Sequence, residues 1–251
     1  MQPITVRGTP LAAGSLPAVC IPLVAATRDA LLAEANAAAA MRPDIVEWRV
    51  DFFGGIADAA ATAQLCADLR AASGAPLLFT RRSFREGGQA IPLDEAGVVH
   101  LYQAVCAAKA ADIVDMELSC EPAHLQAIRE ASRAAGIGLL LSFHDFGGTP
   151  PVALLLDTFR AMQRAGGDIA KIAVMPRSRA DVLALLQAVQ QASDELPIPV
   201  VGMAMGELGA VTRVCGGAFG SALTFAVGQA ASAPGQIPIA ALRAALAALP
   251  R

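Results

Sequence analysis

Residues 168–203 read Asp168-Ile169-Ala170-Lys171-Ile172-Ala173-Val174, then an amphipathic run from Ser178 to Ala192, then Val200-Val201-Gly202-Met203. A strand-length apolar run, a helix-length periodic run and a second apolar run form one βαβ unit. Ser178, three residues before Asp181, supplies the expected helix cap. The same unit recurs in both directions. Further strands are expected at Val19–Ala25, Ile45–Val50, Leu77–Arg81, Ile113–Leu118, Gly138–Phe143 and Ala218–Thr224. Helices are expected at Arg28–Met41, Ala57–Ala72, Asp94–Ala110, Pro122–Ala135, Pro151–Ala165 and Ile239–Leu249, with a short turn near Glu207–Val211. Thr27 caps the first helix, and Gly74, Gly136 and Gly166-Gly167 stand where helices should stop. Eight strands alternating with helices over 251 residues is the arithmetic of an α/β protein of the (β/α)8 TIM-barrel class. No G-x-G-x-x-G opens a helix after the first strand, and no linker divides the chain, so residues 1–251 read as a single barrel domain.

Composition narrows the function. The chain is 55% hydrophobic and 16% charged, with a formal charge of −3, which excludes a disordered chain. An acidic balance without a Lys/Arg block argues against nucleic acid as a partner. Val214–Leu242 carries no charge, but its glycines, prolines and glutamines read as strand plus loop and not as a membrane span. The apolar run Ala18–Ala26 reads as a first strand and not as a signal peptide. Five cysteines without a CxxC pair or metal-ligand spacing suit free thiols in a reducing compartment. A cytoplasmic protein is the expectation.

Strand alternation then puts charges inside. Glu47 and Arg49 share one face of their strand, with Val46 and Trp48 on the other, and Asp115 and Glu117 do the same. Such charges form an internal ion-pair network or serve a ligand at the C-terminal mouth. Of the 19 basic residues all but Lys109 and Lys171 are arginine. Lys171 sits between apolar neighbours and has two readings. It neutralises Asp115 or Glu117, or it is an amine whose desolvation makes it a nucleophile, a role closed to arginine. His144 ends the preceding strand, beside Lys171, as a general acid/base candidate. His100 and His124 fall on helices. Arg82, Glu86 and Arg213 belong to mouth loops, and Arg213 is the expected grip for a single carboxylate. The uncharged, turn-forming segment Ala231–Gln236 offers Ser232 and Gln236 as hydrogen-bonding groups on a mobile lid.

Set in order, these pieces resemble type I 3-dehydroquinate dehydratase, the Schiff-base class of the shikimate pathway. The resemblance rests on Glu47-Trp48-Arg49-Val50-Asp51, Arg82 through Glu86-Gly87-Gly88, Asp115-Met116-Glu117, His144-Asp145-Phe146, Lys171-Ile172-Ala173, Arg213, Phe219-Gly220-Ser221 and Ser232 through Gln236. It departs at Arg81, where the family usually has an aromatic residue, and at Thr212, where serine is common. The resemblance implies dehydration of 3-dehydroquinate through an imine on Lys171, with His144 as base and Glu86 assisting it. Glu47, Arg49, Arg82, Arg213, Ser232 and Gln236 would bind substrate, with Asp115 and Glu117 in support. It also implies a homodimer and no metal or organic cofactor. A class I aldolase-like enzyme using the same lysine, and a non-catalytic metabolite-binding barrel, are the competing readings.

Overall fold

The structure, a computed structural model, describes residues 2–12 and 16–249. Its opening segment is a β-hairpin, β1 (Ile4–Val6) and β2 (Thr9–Leu11), that the sequence reading passes over. Arg7 and Gly8 form its two-residue turn with φ of 46° and 87°, the doubly left-handed geometry that matches strand twist. Arginine in the first of these positions is an unusual turn residue, so no Asn-Gly or Gly-Gly pair announces the hairpin.

The barrel follows as β3 (Ala18–Leu23), α1 (Arg28–Met41), β4 (Ile45–Arg49), α2 (Ala59–Ser73), β5 (Leu77–Thr80), α3 (Glu95–Ala107), β6 (Ile113–Glu117), α4 (Pro122–Ala135), β7 (Gly138–Asp145), α5 (Val152–Arg164) and β8 (Ile169–Val174). It is completed by α6 (Arg179–Glu195), β9 (Val200–Ala204), the short helices α7 (Gly206–Gly209) and α8 (Val211–Cys215), β10 (Leu223–Val227), β11 (Ile237–Pro238) and α9 (Ile239–Ala247). The sheet runs β11-β10-β3-β4-β5-β6-β7-β8-β9, with every neighbouring pair in that order parallel. The barrel closes where β9 meets the entry to β10, at a parallel bridge between Val200 and Ser221 with Ala222 N donating to Val200 O at 2.9 Å. The expected (β/α)8 class is the observed one.

Local signals act as read. Thr27 accepts from Ala30 N, Ser178 and Asp181 form a reciprocal capping box, and Gly74 and Gly136 close their helices in the left-handed conformation. One strand is misplaced in the sequence reading. Residues 216–219 form a 3₁₀ turn, and Gly220, at φ 96°, turns the chain where a Cβ would strike the Ser193 side chain at 2.2 Å. The eighth barrel strand therefore starts at Leu223, not Ala218, and Phe225 lies within it.

Period-two alternation divides the strands into two environments. Val46, Trp48, Phe79, Val114, Leu141 and Ile172 pack outward under the helices. Inward, Cys20, Ile45, Leu78, Ile113, Leu140, Ile169, Val201 and Leu223 form an apolar plug that Val6 and Leu11 of the hairpin cover. The charged residues sit one layer further toward the strands' C-terminal ends, so the plug isolates them from solvent below. Among the described residues no helix is long and apolar enough to cross a membrane.

Leu11 is 1% exposed and belongs to this plug. Leu11→Ala should lower the urea-unfolding free energy by about 2–5 kcal/mol. An unchanged unfolding midpoint would show that the hairpin does not seal the barrel.

Candidate active site

All nine proposed catalytic and binding side chains converge. Glu47, Arg49, Arg82, Glu86, His144, Lys171, Arg213, Ser232 and Gln236 line one open cleft at the C-terminal mouth. The two supporting carboxylates, Asp115 and Glu117, lie buried behind it, each bound to Arg82.

Lys171 projects from the middle of β8 and is 5% exposed. Its nearest carboxylate oxygens are Asp115 Oδ2 at 3.8 Å and Glu47 Oε1 at 4.0 Å, both beyond hydrogen-bond length. The Phe225 ring faces Nζ at 4.4 Å to its centroid. Burial holds the amine below the ordinary lysine value, against the upward pull of Glu47 and Asp115. Asp115 is engaged elsewhere. Arg82 Nη2 donates to its Oδ2 at 2.6 Å, and Ser142 Oγ donates to its Oδ1 at 2.6 Å. Arg82, not Lys171, is thus the principal counter-ion of this carboxylate. Arg82 also reaches Glu117 at 3.1 Å and Glu86 at 3.7 Å. Burial pulls its guanidinium down, but the surrounding carboxylates more than offset that and raise it above its ordinary value.

His144 stands two residues further along β7 than Ser142, the register partner of Lys171, and so sits one inward layer above the amine. Its Nδ1 is 3.0 Å from Glu86 Oε2, and its backbone N–H donates to the same oxygen at 3.1 Å. With Nδ1 bound to a carboxylate, Nε2 is left as the basic nitrogen. Burial, then Arg82, Lys171 and Arg49, keep the imidazole well below its usual range. Glu86 is pushed up to about 7 by burial and then by Glu117, with Arg82 and the Ser119 hydroxyl pulling the other way. The tight 83–88 turn delivers this carboxylate. Ser83 Oγ accepts from Glu86 N, and at Gly88 a Cβ would lie 2.0 Å from Arg82 O.

Arg213 on α8 is 2% exposed and has no carboxylate within 4 Å among the described residues. Burial alone lowers it to about 10. Its donors meet neutral acceptors: Gly235 O at 2.8 Å, Pro234 O at 3.1 Å, Phe225 O at 3.1 Å and Met203 Sδ at 3.4 Å. The segment holding Ser232 and Gln236 is therefore tied by charge, contrary to the sequence reading, though the charges come from other elements. Arg49 Nη1 also donates to Ser232 O at 3.4 Å. Within the segment, Gln236 Oε1 accepts from Ser232 N, and Gln236 Nε2 donates to Ser232 Oγ.

Some contributors escaped the sequence reading. Phe225 was hidden by the misplaced strand. Ser119, whose hydroxyl donates to Glu86 Oε1 at 2.9 Å, sits in a loop without any motif signal. Ser142 could have been found, since it shares the inward face of β7 with His144. Arg81 is buried, binding Glu95 at 2.6 Å, and Thr212 bonds within its own turn and to Ala204 N.

The type I 3-dehydroquinase family model matches residues 19–250. The chain belongs to the type I 3-dehydroquinase family. The expected enzyme class, a hydro-lyase, is borne out with it. A 3-dehydroquinate dehydratase of Albidiferax ferrireducens is 49% identical over 249 residues, covering 99% of this chain and 94% of that protein. Among solved structures, the 3-dehydroquinate dehydratase of Geobacillus kaustophilus matches with TM-score 0.95 and 45% identity over 98% of this chain and 95% of its own. The type I enzyme of Clostridium difficile, solved with covalently modified comenic acid, matches with TM-score 0.93 and 31% identity over 98% of both chains.

In this type I 3-dehydroquinase, Glu86 carries a stability cost with a definite sign. Its carboxyl titrates near 7 in the folded protein and near 4.5 otherwise, so stability is lost as pH rises through that window. Glu86→Gln removes the ionisation. Its melting temperature relative to the parent should rise steadily between about pH 4.5 and 7. A difference that stays flat or falls over that range would mean that Glu86 is not held in a raised state.

Proposed function

We propose that this chain dehydrates 3-dehydroquinate to 3-dehydroshikimate by syn elimination through an imine on Lys171, a step of the shikimate pathway. The observation that carries this reading is a buried lysine amine, lowered by desolvation and free of any short carboxylate contact, facing a cavity that also holds a neutral histidine.

The reaction follows from the groups in place. The Lys171 amine, once unprotonated, adds to the C3 ketone, and loss of water leaves an iminium. Glu47 and Asp115 stand close enough to stabilise that positive charge without binding the free amine tightly. The iminium acidifies the C2 proton, which Nε2 of His144 removes, and the electron pair becomes the enamine double bond. His144 then returns the proton to the C1 hydroxyl as the enamine expels it, and water hydrolyses the conjugated iminium to release product and Lys171. Glu86 orients the imidazole and offsets its charge when protonated. Arg213, a buried cation with only neutral partners, captures the substrate carboxylate. Glu47, Arg49, Arg82, Ser232 and Gln236 take the hydroxyls and carbonyl. The hydrogen-bonded Ser232–Gln236 segment excludes water from the iminium.

Five free cysteines support a reducing, cytoplasmic setting. Exposed Leu183, Leu208 and Val211 on the neighbouring helices α6, α7 and α8 support a homodimer.

Borohydride added during turnover should reduce the intermediate to a stable adduct on the peptide containing Lys171, and Lys171→Arg should abolish both adduct and activity. An adduct on Lys109, or robust turnover with none, would sink the mechanism. His144→Ala should lose about 10²–10⁴-fold in turnover yet still accumulate the trappable imine. Near-normal turnover in that variant would require another base.

A further inference from the structure

Asp51 lies just past the end of β4 in the turn 50–52, with a side chain that is 0% exposed. Its two oxygens take four donors. Oδ1 accepts from Arg49 Nε at 2.8 Å and Arg82 N at 3.3 Å, while Oδ2 accepts from Arg49 Nη2 at 2.8 Å and Gln89 N at 3.1 Å. The two backbone donors belong to the ends of the 82–89 segment and hold the carboxylate itself still. No step of the reaction above uses it.

Arg49 alone would not hold one orientation. It lines the cavity on a long side chain with many accessible rotamers. The two-pronged bond to Asp51 fixes the guanidinium plane and consumes Nε and one edge of the fork. What remains is Nη1 and the second hydrogen of Nη2, and Nη1 reaches Ser232 O. The pairing also settles charge. Arg49 is neutralised within its own strand end, whereas Arg213 has no carboxylate partner among the described residues, so the cavity keeps one guanidinium free for an anion.

We propose that Asp51 is a positioning residue for the dehydration: it presents Arg49 to the substrate in one orientation and prevents it from competing with Arg213 for the carboxylate. The proposal rests on the dehydratase reading and adds to it a residue that touches neither substrate nor the reacting atoms.

A double-mutant cycle tests it. Asp51→Asn keeps the shape and removes the charge. In the parent background it should lower kcat/KM for 3-dehydroquinate at least about tenfold, with the imine on Lys171 still trappable at high substrate. In an Arg49→Ala background the same substitution should change kcat/KM within about twofold. A merely structural Asp51 would give the same fold loss in both backgrounds, and that result overturns the proposal, as does parental kcat/KM in folded Asp51→Asn. If Asp51→Asn does not fold, Arg49→Lys decides. It keeps the charge but lacks the fork, so it should lose at least about tenfold, and parental kinetics would overturn the proposal. Failure of the dehydratase reading is distinguishable, because the unsubstituted enzyme would then not turn over 3-dehydroquinate at all.

Discussion

The contact between Arg82 and Asp115, 2.6 Å long and almost wholly buried, sets the terms for everything around it. An isolated carboxylate buried at this depth would take a proton or draw in the nearest cation. Lys171 is that cation from the neighbourhood of β8, and a short Lys171–Asp115 bond would have produced a protonated, inert amine. Because Arg82 from the β5 end and Ser142 from β7 occupy the two oxygens of Asp115, Lys171 stays at 3.8 Å. Arg82 can do this without risk of losing its own proton, which a lysine in the same place could not. The pair is costly to bury and is stable only as a network with Glu117 and Glu86.

From this arrangement follow the opposite states of the cavity's ionisable groups. Burial and neighbouring cations keep His144 neutral, and burial brings Lys171 down, while burial and Glu117 raise Glu86. Groups displaced from their usual ranges in this way are suited to exchanging protons near neutral pH. Arg213 completes the set from the other side of the mouth. It is desolvated, holds backbone carbonyls of residues 234 and 235, and offers the positive charge that Arg49 and Arg82 have already given to carboxylates. In the proposed reaction, one side chain thereby both meets the substrate anion and holds the Ser232–Gln236 segment.

Much of this was legible in the sequence because a barrel writes its interior in a period of two. Glu47 with Arg49, Asp115 with Glu117, and Lys171 between apolar neighbours could be assigned inward without coordinates, and the ordered motifs named the family. The hairpin was not legible, since its Arg7-Gly8 turn lacks the usual signal and three-residue strands show no alternation. Phe225 was missed for a related reason. Apolar residues on both sides of Gly220 suit a strand equally well, and only the packing of that glycine against Ser193 shows where the turn ends. The contacts made by Arg49 and Arg213 to residues 232–235 could not be anticipated either, because they join side chains to carbonyls far away along the chain. Asp51 was visible in its motif, but its role depends on which donors reach it.

The state of the Lys171 amine is the claim on which the account stands, and the composition makes it directly measurable. With Lys109 and Lys171 as its only lysines, protein labelled with ¹⁵N-lysine has two side-chain ammonium groups to follow, and Lys171→Arg assigns them. An NMR titration of the substrate-free enzyme should show the Lys171 signal losing its proton below the ordinary lysine value of about 10.5. A midpoint at or above that value would mean that Glu47 and Asp115 outweigh desolvation and hold a charged, non-nucleophilic lysine, contradicting the account.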